Sequence, residues 1–176
     1  MRTSWMMVGL ISMVTLQPTM AEQAGAATSA TASSDEAGAL AVALKGVKVS
    51  LARGLAASKP QGMPISGKFE LGEGKLQLSI YTSKGDDYFE VVVDYKTGKV
   101  AKVEPITGGD DLAAAKQQAT AMAKAKLTLQ LAVERAELAH AGYRAVSVVP
   151  QINGDKVTAT VEMMKGRASI KVDEPL

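Results

Sequence analysis

The residues able to do chemistry are few, and most are acidic. The 176 residues include one histidine and no cysteine. That excludes a disulfide framework, a thiolate zinc site, a haem-attachment motif and a cysteine nucleophile. His140 alone cannot supply the paired imidazoles of an H-E-x-x-H metal site. A Ser/His/Asp triad needs no contiguous motif, but no G-x-S-x-G elbow occurs. His140 stands two residues before Gly142, a position that suits the negative end of a helix dipole.

The carboxylates come in pairs. Asp86-Asp87 follows Gly85, Asp110-Asp111 follows Gly109, and Asp173-Glu174 lies near the end of the sequence. Hard cations such as calcium or lanthanides take six to eight oxygen ligands, often from such loops. The spacing D-x-[DN]-x-[DN]-G is absent, and turn formation with helix capping accounts for the first two pairs. No catalytic residue and no cofactor are therefore expected. Metal binding through Asp86, Asp87, Asp110, Asp111, Asp173 or Glu174 is the alternative. Asp94 and Asp173 each end an alternating apolar run, and each is expected to start the turn after its strand. Gly72-Glu73-Gly74 and Gly108-Gly109 are turn glycines without a phosphate-binding motif. Lys and Arg number 20 against 18 Asp and Glu, a net charge of +2, so no electrostatic footprint for nucleic acid is present. Aromatic residues make up 4%, too few for a stacking platform.

The elements that hold these residues follow from the patterning. Arg2, the apolar run Trp5–Leu16, Pro18 and Thr19-Met20-Ala21 have the layout of a signal peptide cleaved after Ala21. The run of about a dozen apolar residues is short of the roughly 20 that span a bilayer. A periplasmic protein with no membrane anchor after cleavage is expected. Residues 22–36 are small and polar and read as a disordered leader. A helix is expected over Ala39–Leu44, ended by Gly46. Ser50 is placed to cap a second, Leu51–Ala57, which stops at 60–64. Alternation then predicts strands at Lys75–Thr82, Tyr88–Asp94 and Val100–Val103, a three-stranded antiparallel meander. Leu112–Lys126 is helical in composition. Thr128 starts another helix through Ala141, with Leu131, Leu138 and Ala141 on one stripe and Glu134, Arg135 and Glu137 on the other side. Strands follow at Arg144–Val149, Lys156–Met164 and Arg167–Val172.

The two halves repeat. Lys75-Leu76-Gln77-Leu78 corresponds to Lys156-Val157-Thr158-Ala159, Lys84-Gly85 to Lys165-Gly166, and Glu90–Asp94 to Ser169–Asp173, all about 80 residues apart. The second half has no counterpart to Lys99–Glu104. Tyr88-Phe89-Glu90-Val91-Val92-Val93-Asp94-Tyr95-Lys96-Thr97-Gly98-Lys99-Val100 resembles the hallmark of the PepSY domain. Thr128–Asp173 resembles the same module without its Thr-Gly-Lys. The resemblance implies an α+β fold of two tandem repeats, each a helix plus an antiparallel β-meander, with helices packed on the sheets. Module 1 would span 37–107, and a linking helix with module 2 would span 108–176.

The resemblance also implies an exported, non-enzymatic binding or regulatory protein with no catalytic residues to carry over. Its expected partner is an exported protein or peptide, taken up at a sheet edge. Lys99–Glu104 and Arg167–Val172 are the candidate edges. Inhibition of a metalloprotease in trans is a further alternative, since PepSY modules occur in metalloprotease propeptides.

Overall fold

Ser50 and Thr128 start two helices by the same device. Ser50 Oγ accepts from the Arg53 N–H at 3.2 Å and opens α1, Leu51–Ser58. Thr128 Oγ1 accepts from the Leu131 N–H at 3.3 Å. The intervening helix α2 is Gly109–Lys124, and α3, which Thr128 opens, is Leu129–Ala139. Each cap satisfies an N–H that the first helical turn leaves without a partner. The computed structural model describes Asp35, residues 37–72 and residues 74–176. The expected signal peptide and all of the expected leader except Asp35 lie outside these residues. Asp35 is already helical, so regular structure begins within the segment expected to be leader. Residues 37–43 are helical and run into a 3-10 turn at Leu44–Gly46.

The strands form one seven-stranded antiparallel sheet. In chain order they are β1 Met63–Gly72, β2 Lys75–Lys84, β3 Asp87–Val93, β4 Val100–Pro105, β5 Arg144–Asn153, β6 Lys156–Lys165 and β7 Ala168–Pro175. The spatial order is β4-β3-β2-β1-β5-β6-β7, with β1 and β5 paired at the centre through Gly67–Val148 and Lys68–Ser147. The molecule is therefore α+β, and both halves of the chain contribute to one sheet. Two-residue loops join β2 to β3 and β6 to β7, and Gly85 and Gly166 open them with φ of 63° and 60°. Such tight hairpins need a positive φ at that position.

β1 departs from the sequence expectation, which placed no strand before Lys75. Its register shifts between Pro64 and Ser66, which breaks the alternation that marks a strand. Gly67 also stands where an inward apolar side chain would be expected. A Cβ there would lie 2.7 Å from Ile80 Cδ1 of β2 and 3.3 Å from Leu51 Cδ1 of α1, so these side chains already fill the space. Ser66, the preceding residue, points the other way and donates to Gln118 Oε1 of α2 at 2.7 Å. Neighbouring strand residues face opposite sides, so α1 and α2 cover opposite faces of the sheet. α3 packs beside α1.

The core lies between the sheet and the α1–α3 layer. Leu51, Leu55, Leu78, Ile80, Val91, Val133, Val148 and Val161 are fully buried. The stripe expected on α3 is corrected. Leu138 is 86% exposed and Leu131 sits at the surface, while Leu129, Ala132, Val133 and Ala136 face the sheet. Two of the four are alanines, on a helix that packs against both the strands and α1. Glu137, expected on the solvent side, is half-buried. Its Oε1 accepts from the Ala145 N–H at 3.0 Å, where β5 shifts register between Ala145 and Ser147. Among the described residues no helix is long and apolar enough to cross a membrane.

Candidate functional site

The acidic pairs are not gathered into one place. Asp86 lies in the β2–β3 loop and Asp87 begins β3, both exposed. Asp110 and Asp111 occupy the first turn of α2, where they complement the helix dipole. Asp173 and Glu174 lie near the end of β7. Among the described residues no group of three or more His, Asp or Glu side chains is arranged to hold a metal ion. His140 caps the C-terminal end of α3, its Nδ1 3.0 Å from the Ala136 carbonyl oxygen.

Asp94 starts a turn as expected. Its Oδ1 accepts from the backbone N–H groups of Lys96 at 2.9 Å and Thr97 at 2.7 Å. Those bonds, Thr97's first, hold its carboxyl below the usual range. Asp173 does not start a turn, and this corrects the pairing of the two aspartates. Asp173 lies within β7, opposite Thr160, and its Oδ1 accepts from Thr160 Oγ1 at 2.7 Å. Ser79 pairs with Val92, and Thr160 pairs with Asp173, so Asp173 takes the place in β7 that Val92 takes in β3. The shared Val-Asp endings therefore lie two residues out of structural register, a displacement that keeps side chains on the same face.

The two strands singled out as edges are the edges of the sheet: β4 on one side, β7 on the other. They differ in what they offer. On β7 the Leu176 N–H donates to the Val157 carbonyl at 3.0 Å. Antiparallel alternation then directs Ala168, Ile170, Val172 and Glu174 back to β6. The N–H and C=O groups of Ser169, Lys171 and Asp173 face outward in unbroken register, and Pro175, next in line, has no N–H. Ile170 and Val172 are half-buried against the core. On β4 the Ile106 N–H donates to Tyr88 O, so the outward positions are Val103 and Pro105. The register shifts between Val92 and Val93, leaving Ala101 as an extra residue.

A second cluster escaped the sequence reading. On the sheet face opposite α1, Lys68 Nζ pairs with Glu70 Oε2 at 2.6 Å and stands 5.8 Å over the Tyr81 ring. Gln77 Nε2 donates to Ser79 Oγ at 2.8 Å and to Glu90 Oε1 at 3.0 Å. Burial pushes the Tyr81 phenol up; Lys68 opposes this, and Glu90, Glu70 and Asp111 add to it. Burial works against the Lys68 ammonium, but the Glu70 hydrogen bond and the Tyr81 and Glu70 charges outweigh it, so its pKa is raised. The cluster depends on β1, and the missed strand concealed it. The polar alternation Gln77-Ser79-Tyr81 on β2 was the available signal.

No family model matches the chain, and neither does any curated protein or solved structure.

Proposed function

We propose that this is an exported, non-enzymatic binding protein of PepSY type, built of two tandem modules, that takes up an extended segment of an exported protein or peptide on β7. The repeat reading is supported by correspondences that recur about 80 residues apart: capped helices at Ser50 and Thr128, register shifts at Pro64/Ser66 and Ala145/Ser147, and glycine hairpins at Gly85 and Gly166. The export reading rests on the pattern of residues 2–21.

One observation carries the binding reading. β4 covers β3, whereas among the described residues no strand covers its counterpart β7. A segment added there takes the place that β4 takes beside β3. Its main chain would bond to Ser169, Lys171 and Asp173, the strand-addition mode in which backbone bonds give affinity and alternate side chains give specificity.

Peptides selected for binding the full chain from a displayed library test this by amide exchange. The outward amides of Ser169, Lys171 and Asp173 should gain protection. Lys171→Pro should abolish binding without unfolding the protein, because an outward edge position loses no ladder hydrogen bond to proline. Val103→Pro on β4 should leave binding unchanged. Selected peptides that protect no β7 amide, or that bind Lys171→Pro as well as the parent, would refute the reading.

A further inference from the structure

The segment Pro60–Pro64 reads in sequence as a helix stop, but in the fold it joins Lys59 in walling an apolar slot and the cleft beside it. The end of α1, the start of β1, Met122 of α2 and the linker into α3 enclose about 180 Å³. Lys59, Met63, Pro64 and Thr128 also line a shallower cleft of about 470 Å³ that continues outward to Ser83 and Lys84. Met63 is 43% exposed at the junction of the two. The combined lining carries three cations, Lys59, Lys84 and Lys126, and no aspartate or glutamate.

None of the three lysines enters an ion pair among the described residues, where the pairs are Lys68–Glu70 and Lys102–Glu104. Lys59 is held in place instead: its Nζ donates to Gln130 Oε1 at 3.0 Å, and Gln130 Nε2 donates to Glu134 at 2.9 Å. A concave apolar wall with charge of one sign at its mouth focuses the field and attracts the opposite charge. The enclosed part is smaller than the roughly 300–1,000 Å³ of a small-molecule site. One large apolar side chain fills it, and the open cleft leaves room for chain on either side.

We infer that this slot binds an acidic peptide segment, seating one apolar anchor side chain between carboxylates that meet Lys59, Lys84 and Lys126. The inference does not rest on β7, which lies three strands away from β1 in the sheet.

The test uses the full chain and a blocked synthetic peptide with one leucine flanked on each side by two glutamates, followed by fluorescence anisotropy. Analogues carry alanine for the leucine, or glutamine for every glutamate; octanoate is the lipid-like probe. Saturable binding should weaken at least tenfold with either analogue, with Met63→Glu, and with Lys59→Gln combined with Lys126→Gln. All three side chains are exposed, and an unchanged melting curve confirms that each variant folds. Lys171→Pro should bind the peptide like the parent, which separates this result from strand addition at β7. No binding of the parent peptide, equal binding of the alanine analogue, or binding of octanoate without the peptide would each overturn the inference.

Discussion

Replacing Thr82 by valine should make the protein more stable. Thr82 lies on β2 between Pro64 of β1 and Phe89 of β3, and it is 0% exposed. Its Oγ1 has no hydrogen-bond partner among the described residues. Leaving a buried hydroxyl unpaired costs about 1–3 kcal/mol. Valine keeps the shape of threonine and adds a buried methyl in its place, so Thr82→Val should gain about 1–3 kcal/mol. That is a sizeable share of the 5–15 kcal/mol typical of a domain. At about 4 °C per kcal/mol for a unit of this size, the melting temperature should rise by about 4–12 °C. Urea unfolding is the direct assay: the midpoint should rise with the slope unchanged. Thr82→Ser keeps the hydroxyl and loses the methyl, and should lose about 1 kcal/mol. A Thr82→Val midpoint at or below the parent's, with unchanged slope, would show that the hydroxyl is paired and the reasoning wrong.

Tyr81 and Lys68 both hold raised pKa values in the fold. The stability they confer is complete below their unfolded values near pH 10 and is lost as pH rises through the folded ones. The stability difference between parent and Tyr81→Phe should therefore shrink above about pH 10, and a difference that stays constant in urea titrations up to pH 11 would contradict it. Asp94 is depressed, so its contribution is present above the unfolded carboxylate pKa and fades as pH falls through the folded one. Asp94→Ala should melt below the parent at pH 7, and the two should converge in acid. On α3, Leu138→Lys should change stability by less than about 0.5 kcal/mol, whereas Ala136→Leu should cost about 1–3 kcal/mol by overpacking. The opposite ranking in thermal melts would restore the stripe expected from sequence.

The strands that alternate cleanly were legible from sequence alone. Lys75–Thr82 and Lys156–Met164 carry apolar residues at every second position, and a sheet buried on one face writes that pattern directly. The caps at Ser50 and Thr128 were legible because a hydroxyl before an apolar run has a local physical role. β1 was not, because its alternation is interrupted at Ser66 and Gly67, which answer to Gln118 of α2 and to Ile80 and Leu51 across the core, partners that no local pattern names. The α3 stripe misled for a related reason: leucines signal burial on average, but the buried face of α3 runs through Leu129, Ala132, Val133 and Ala136 and leaves Leu131 and Leu138 outside. The polar cluster around Tyr81 inherited the loss of β1. The edges were found because a meander must end somewhere. Their inequality depended on a register shift at Val92/Val93 that leaves no mark in composition.

That inequality raises a competing use of β7, since an open edge also invites a second copy of the chain. In an antiparallel pairing of two β7 strands about a two-fold axis, one register sets Val172 opposite Val172. The same register places Lys171 opposite Asp173 of the second copy, and Asp173 opposite Lys171. All four are outward backbone positions, so the main-chain bonds form together with two complementary charge pairs. Concentrated protein without a partner should therefore dimerise, and a bound segment should release monomers. Lys171→Asp turns both charge pairs into like-charge pairs. Cross-strand pairs are worth about 0.2–1 kcal/mol, with like charges costing a similar amount. The dimer should then weaken by roughly 1–4 kcal/mol, about fivefold to several hundredfold in Kd. Combining Lys171→Asp with Asp173→Lys restores both pairs and should restore the dimer in sedimentation equilibrium. A double variant as monomeric as the single one would exclude this register. A dimer indifferent to Lys171→Pro would place self-association elsewhere and leave β7 free for its partner.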